Sequence, residues 1–392
     1  MTDRPPGKLG PIFLTVFLDL LGFGLVIPLL PRYAESLHAS PLQIGMIAAS
    51  YSGMQFLFVP MWGALSDRVG RRPILLMSML ASAAAFTMLG FAQSLTWLFI
   101  ARAFGGIATA NLAVAQAYIA DSTTKEGRAR GMGLIGVAFG LGFVLGPFAG
   151  GILSAISLET PSRVAACLAL LNFVWAYVAL PESLRDEHRG QKRKMRIGPD
   201  PRAISRVMSL PGLGLAVVLF FVVGSSFANL EQTFSLFAHD EFGLDAKRTG
   251  YIFGMVGLIA MFVQGGMIGR LNRRFGEVRL IRAGNVLQSL GFAGIALSAT
   301  RGLAALYLAM AVLSVGNGLV NPSLSTLVSR RAPPESQGES LGVLQSMGAL
   351  ARVVGPTLGG LLYGYGHRLP YVSGAVGLLI AFGLAMTLRE RV

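Results

Sequence analysis

Gly63-Ala64-Leu65-Ser66-Asp67-Arg68-Val69-Gly70-Arg71-Arg72-Pro73 packs four charges into eleven residues between two apolar runs. A turn this tight needs glycine, and proline suits the first turn of the helix that follows. Asp67 can stabilise a helix N-terminus or pair with a nearby arginine, while the arginines hold the string on one side of a barrier. The runs on either side are each near the roughly 20 residues that a bilayer-crossing helix requires. The string therefore reads as a short polar connection between two membrane spans.

Working outward gives twelve such stretches, at about 11–34, 43–65, 73–93, 95–119, 131–155, 162–181, 211–235, 248–271, 280–299, 303–328, 340–363 and 370–388. Of the 392 residues, 53% are hydrophobic and 13% charged, about half the charge content of a soluble domain. That excludes a soluble enzyme, and the expected class is an all-α integral membrane protein. The first stretch follows Arg4 and Lys8 but exceeds a signal-peptide core, contains Asp19 and lacks a cleavage site, so it reads as a retained helix. The single cysteine, Cys167, argues against a disulfide framework or a Cys-rich metal site, and no cofactor or metal is expected.

The net charge of +14 follows loop parity. One side holds 25 of the 33 Lys and Arg residues; the other holds Arg32, Arg163, Lys247, Arg248, Arg301 and Arg368, with Arg102 and Arg352 left inside spans. This asymmetry predicts that the basic side and both termini are cytoplasmic, and it removes nucleic acid as a partner. The polar stretch Glu182 to Leu210, with Gln191-Lys192-Arg193-Lys194-Met195-Arg196, reads as a cytoplasmic linker: a solvated tether, or one resting on anionic lipid. It divides the chain into 1–181, 182–210 and 211–392. Gly146-Pro147-Phe148-Ala149-Gly150-Gly151 returns as Gly355-Pro356-Thr357-Leu358-Gly359-Gly360, 209 residues later. The opening string has a weaker echo at Gly269 to Gly276. Two echoes in order predict two pseudo-symmetric six-helix bundles with a path between them.

The opening string resembles the loop signature of the major facilitator superfamily, whose members share this twelve-helix fold. Asp19-Leu20-Leu21-Gly22-Phe23-Gly24-Leu25-Val26-Ile27-Pro28-Leu29-Leu30-Pro31 is similar to the opening of the drug:proton antiporters, tetracycline exporters included. Arg102-Ala103-Phe104-Gly105-Gly106 resembles their buried-arginine motif, and Ala117-Tyr118-Ile119-Ala120-Asp121 its end. Gly142 to Gly151, with Gly146, Pro147 and Gly150, resembles their antiporter motif, associated with export more than import. The resemblance implies a gating set of Gly63, Asp67, Arg68, Gly70, Arg71, Arg72 and Asp121. In it Asp67 latches against the start of span eleven at Gly338-Glu339-Ser340, and Asp121 pairs with Arg68 or Arg71. It also implies a monomer in a bacterial inner membrane. Where tetracycline exporters carry an additional aspartate in span three, this chain has Ala81-Ser82-Ala83-Ala84-Ala85, so the substrate expectation widens to neutral and cationic lipophiles.

Charges within spans carry the remaining chemistry, because a central Asp or Arg costs roughly 2.5–3.5 kcal/mol on insertion scales. Asp19 is the first proton-coupling candidate and Glu231 the second, with Arg102 and Arg352 as charge partners. Thr109 and Gln116 follow Arg102 at seven-residue steps, a polar stripe on one helix face. Phe23, Tyr51, Gln55, Phe58, Met255, Asn317 and Asn321, with Ser314, are candidates to line a greasy pocket or to pack between helices. No HExxH, GxSxG, Walker or dinucleotide fingerprint occurs in a suitable setting, so no enzyme is expected. The expected function is proton-coupled antiport that exports lipophilic or amphiphilic small molecules across the lipid bilayer by alternating access. The alternative is a proton-coupled importer or facilitator of a small metabolite.

Overall fold

A computed structural model describes residues 9–109, 111–123, 128–184, 196–333 and 336–388. Among these, every regular element is a helix. The first half has α1 (Gly10–Ser36), α2 (Pro41–Val69), α3 (Arg71–Gly90), α4 (Leu95–Ser122), α5 (Arg128–Leu153) and α6 (Thr160–Ala179). The second has α7 (Leu213–Phe242), α8 (Ala246–Phe275), α9 (Glu277–Arg301), α10 (Leu303–Arg331), α11 (Gln337–Tyr365) and α12 (Leu369–Met386). Eleven of the twelve are long and apolar enough to span a membrane. The exception, α11, is as long, at 29 residues, but carries Glu339, Gln345 and Arg352. It packs on α7 and α2, so protein covers much of the surface that lipid would otherwise require to be apolar.

Three helices depart from the expected continuous spans, and α1 does so by tightening into a 3₁₀ turn over Ile27–Leu29. The α4 helix breaks at Thr109, whose backbone is extended. The α8 helix widens into a π segment over Phe262–Met267, which contains Gly265 and Gly266.

Within the first bundle, α1 packs on α5 and α6, α2 on α4, and α3 on α6; in the second, α7 packs on α11 and α12, and α9 on α10 and α12. Buried amides tie helices across each bundle, since a polar group in an apolar interior needs a partner. Asn172 donates to the Thr15 carbonyl at 2.9 Å, and Asn229 to that of Pro370 at 2.8 Å.

The bundles meet along α2 against α11 and α5 against α8. The repeated Gly-Pro motifs make both seams. A Cβ on Gly45 would collide with the Pro356 carbonyl, and one on Gly250 would stand 2.7 Å from that of Pro147, the equivalent residue 209 positions earlier. These contacts lie at the end away from the basic loops. At the basic end of the same four helices, Gly63, Gly342, Gly136 and Gly266 have nothing within 4 Å of a Cβ. Among the described residues, the bundles thus pack backbone to backbone at one end and stand apart at these four positions near the other.

The linker touches both bundles. Its helix Pro201–Ser209 is capped by Asp200, which accepts from the Arg202 amide at 3.0 Å, and Arg206 reaches Glu339 at the head of α11 at 3.0 Å. Gly198 donates its amide to the Leu57 carbonyl on α2 at 2.7 Å. Most of the basic cluster 191–196, Lys125, the side chains of Arg128 and Arg130, and the terminal arginines lie outside the described residues.

Candidate functional site

Ser94 caps α4 and sets its start, placing Arg102 eight residues in. Gly105 and Gly106 then let α4 close onto α2, since a Cβ at Gly106 would collide with the Tyr51 carbonyl. The guanidinium of Arg102 consequently lies over the Tyr51 ring, 4.2 Å from its centroid, a cation–π contact in a desolvated setting. Tyr51 donates its hydroxyl to Thr109 Oγ1 at 3.0 Å, and the Phe23 ring sits 5.6 Å away. Asp19, Phe23, Tyr51, Phe86, Arg102 and Thr109 thus line one small pocket.

The break in α4 helps shape this pocket. It frees two carbonyls that a continuous helix would satisfy, and side chains from neighbouring helices take them up. Trp62 donates to Ile107 and Ser78 to Ala108, each at 2.6 Å. Trp62→Phe should strand the first carbonyl and cost about 1–2 kcal/mol, read as a fall of a few degrees in thermal unfolding in detergent.

The second bundle brings Arg352 and Glu231 to the same region. Arg352 donates to Gln55 Oε1 at 3.3 Å across the α2–α11 seam. Its side chain is exposed at mid-helix. Glu231 lies within electrostatic reach of both Arg352 and Arg102. Among the described residues, no ion pair within 4.0 Å joins these charges to one another.

Other predicted lining residues lie apart from the pocket wall. Asn321 donates to Asn317 at 2.7 Å on α10, and Ser314 donates to the Val256 carbonyl, a packing bond between α10 and α8. Met255 packs against the second bundle's core. Gln116 is exposed beyond the α4 break, which interrupts the predicted stripe after Thr109. Phe58 is half-buried one turn past Gln55 and is outside the pocket wall.

In the loop string, Arg71 is the buried centre. Its guanidinium meets Asp67 at 2.5 Å, Asp121 at 2.9 Å and Ser66 at 2.6 Å. The expected pairing of Asp121 with a loop arginine is thus made by Arg71. Asp67 also uses Arg71, and it is Arg206 that engages Glu339 at the head of α11. The helix-capping role considered for Asp67 falls to Glu182, which accepts the Arg71 and Arg72 amides at 2.9 and 3.2 Å. Glu182 is 109 residues past Pro73, at the far end of α6, and a linker glutamate carries no local mark of that role. Phe86 was likewise hidden in the apolar pattern of α3. The antiporter-motif residues Gly142, Gly146 and Gly150 pack on α1, and Gly151 on α8.

Two six-helix bundles joined by close glycine seams, with a charged pocket among α1 to α4 of the first, define a membrane transporter and not an enzyme. The chain belongs to the Major Facilitator Superfamily, whose family model matches residues 12–356 and 268–392. It is 36% identical to the class C tetracycline resistance protein of Escherichia coli over 358 residues, covering 89% of this chain and 88% of that protein. It is 27% identical to multidrug resistance protein 2 of Bacillus subtilis (strain 168), covering 96% and 94%. The crystal structure of the human organic anion transporter MFSD10 (TETRAN) matches at a TM-score of 0.74 and 28% identity, covering 97% of this chain and 100% of that one.

Proposed function

We propose that this transporter exports amphiphilic small molecules in exchange for protons, with Asp19 as the coupling carboxylate. The observation that carries the reading is the placement of Asp19 in an aromatic-walled pocket shared with Arg102, in a protein whose bundles pack closely at the end away from the basic loops. Protonating Asp19 changes the net charge of that pocket and therefore what it holds. Glu231, Arg102 and Arg352 complete the charge set. Residues 1–181 and 211–392 act as two bodies tethered by 182–210, rocking about the α2–α11 and α5–α8 seams. The basic end and both termini face the cytoplasm of a bacterial inner membrane, so the closely packed end faces outward. The transporter works as a monomer in lipid, and Arg71 with Asp67 and Asp121 stabilises the cytoplasmic hinge. The resistance-protein relatives support export.

The test uses purified protein in vesicles with an imposed pH gradient and a panel of lipophilic drugs. Drugs should accumulate only while the gradient stands, with matching proton flux. Movement of a small metabolite and no drug would replace export with import or facilitation. Asp19→Asn should lower proton-driven accumulation about 100-fold while drug-for-drug exchange persists; unchanged proton-driven accumulation removes Asp19 from the coupling step.

A further inference from the structure

We infer that residues 196–200 of the linker form a wedge that holds the basic ends of the two bundles apart and must leave α2 before those ends can meet. The inference goes beyond the transport reading and needs from it only that the bundles rock. Along α2, starting from the end away from the basic loops, the neighbours are first supplied by α11. A Cβ on Gly45 would collide with the Pro356 carbonyl, and one on Gly53 would stand 3.8 Å from Val353. Gln55 accepts from Arg352 at 3.3 Å. One turn past Gly53, on the same side of the helix, the partner is the linker. There the Leu57 carbonyl accepts the Gly198 amide at 2.7 Å, and Gly198 is buried. Leu57 lies about 18 Å from the basic end of α2 at Val69, so the linker reaches well between the bundles.

Both partners are prepared for this contact. Pro60, inside α2, has no N–H to give the Phe56 carbonyl, and the bend a proline imposes turns the carbonyls of that turn towards outside donors. On the linker, Arg196 pairs with Asp200 at 2.7 Å, and Pro199 and Pro201 restrict the backbone beyond the apex. The result is a stiff bend whose apex, Gly198, has a φ of +82°, a conformation that favours glycine. The helix that follows, Pro201–Ser209, belongs to the second bundle. Its Val207 is 1% exposed, its Arg206 pairs with Glu339, and a Cβ on Gly214 of α7 would collide with its Met208 carbonyl. Gly198 lies only three residues before that helix, so the apex moves with the second bundle and leans on the first. If α11 is to approach the basic half of α2, it needs the side of α2 that the bend occupies. The contact therefore favours the state in which these ends stand apart, which in an exporter is the loading state.

Two measurements on the full chain in lipid nanodiscs test the wedge. Neither uses a pH gradient or a substrate, so failure of the export reading leaves both unaffected. In the unaltered protein, the Gly198 amide should exchange with deuterium about 10-fold more slowly than in a free peptide of the same sequence. Exchange at the free-peptide rate overturns the inference. Protection that appears only when the nanodisc contains anionic lipid also overturns it, by placing the linker on the membrane. The second measurement sets spin labels at Val69→Cys and Gly338→Cys, exposed positions at the basic ends of α2 and α11, in a Cys167→Ala background. Gly198→Pro removes the donor and cannot adopt a positive φ, so it should raise the short-distance population about threefold. Gly198→Asn keeps the N–H and tolerates that backbone, so its distances should match those of the parent. Unchanged distances in Gly198→Pro, or equal shifts in both variants, overturn the wedge.

Discussion

Gly45→Val and Gly360→Val are each expected to reduce transport at least 100-fold by denying the protein its close seam at the end away from the basic loops. In the observed state α2 and α11 touch backbone to backbone there. A Cβ on Gly45 collides with the Pro356 carbonyl, and one on Gly360 with that of Pro41. Overpacking against a side chain costs about 1–3 kcal/mol, because the side chain can rotate away. A helix carbonyl cannot, so relief comes only from separating the bundles. A penalty of roughly 3 kcal/mol shifts the balance of states about 150-fold towards separation at that end. Thiol labelling reads this directly in a Cys167→Ala background, since Cys167 is the chain's single cysteine. A reporter at Leu30→Cys, buried at the outer end of α1, should label much faster in either valine variant. Gly342→Val is the control: its site is open here, so labelling at Leu30→Cys should not increase. Unchanged labelling and transport in Gly45→Val would sink the proposed role of the seam.

The second large effect is expected from Arg71→Ala. Arg71 holds two carboxylates and a hydroxyl, and its own side chain is only 9% exposed. Removing it leaves Asp67 and Asp121, at 22% and 29% exposure, facing each other without the cation between them. Removing one member of a fully buried pair costs about 3–5 kcal/mol, and the remaining solvent access lowers this to roughly 2–4 kcal/mol. Unfolding should begin roughly 2–5 °C lower. Arg71→Lys should recover only part of the loss, because an ammonium cannot fork between two carboxylates. The double change Arg71→Ala with Asp121→Asn should be less harmful than the sum of the single changes, which a mutant cycle measures. Additive effects would mean that Arg71 and Asp121 do not act together.

The sequence declared these two features differently. Gly151 and Gly360 of the seams were visible in a repeat 209 residues apart, because close helix approach restricts side-chain size wherever it occurs, whereas Gly45 and Gly250 lie outside that repeat. The task of the seam glycines, packing the bundles closely at one end, was not visible, because Gly342 and Gly360 read alike in a sequence. Arg71 was visible as one of several loop arginines. Its selection as the buried centre depends on Asp121, 50 residues away, and on Glu182 fixing the start of α3.

Span count, bundle repeat and the identity of the charged positions follow from the chain alone. The bilayer penalises every polar residue it must hold, so Asp19, Arg102, Glu231 and Arg352 announce themselves against an apolar background. Partnership is another matter. The α4 break, the Tyr51 ring under Arg102, the Gln55 bond to Arg352 and the diversion of Ser314 into packing each depend on distances between helices far apart in sequence. Only folding brings those helices together and decides which groups those membrane charges meet.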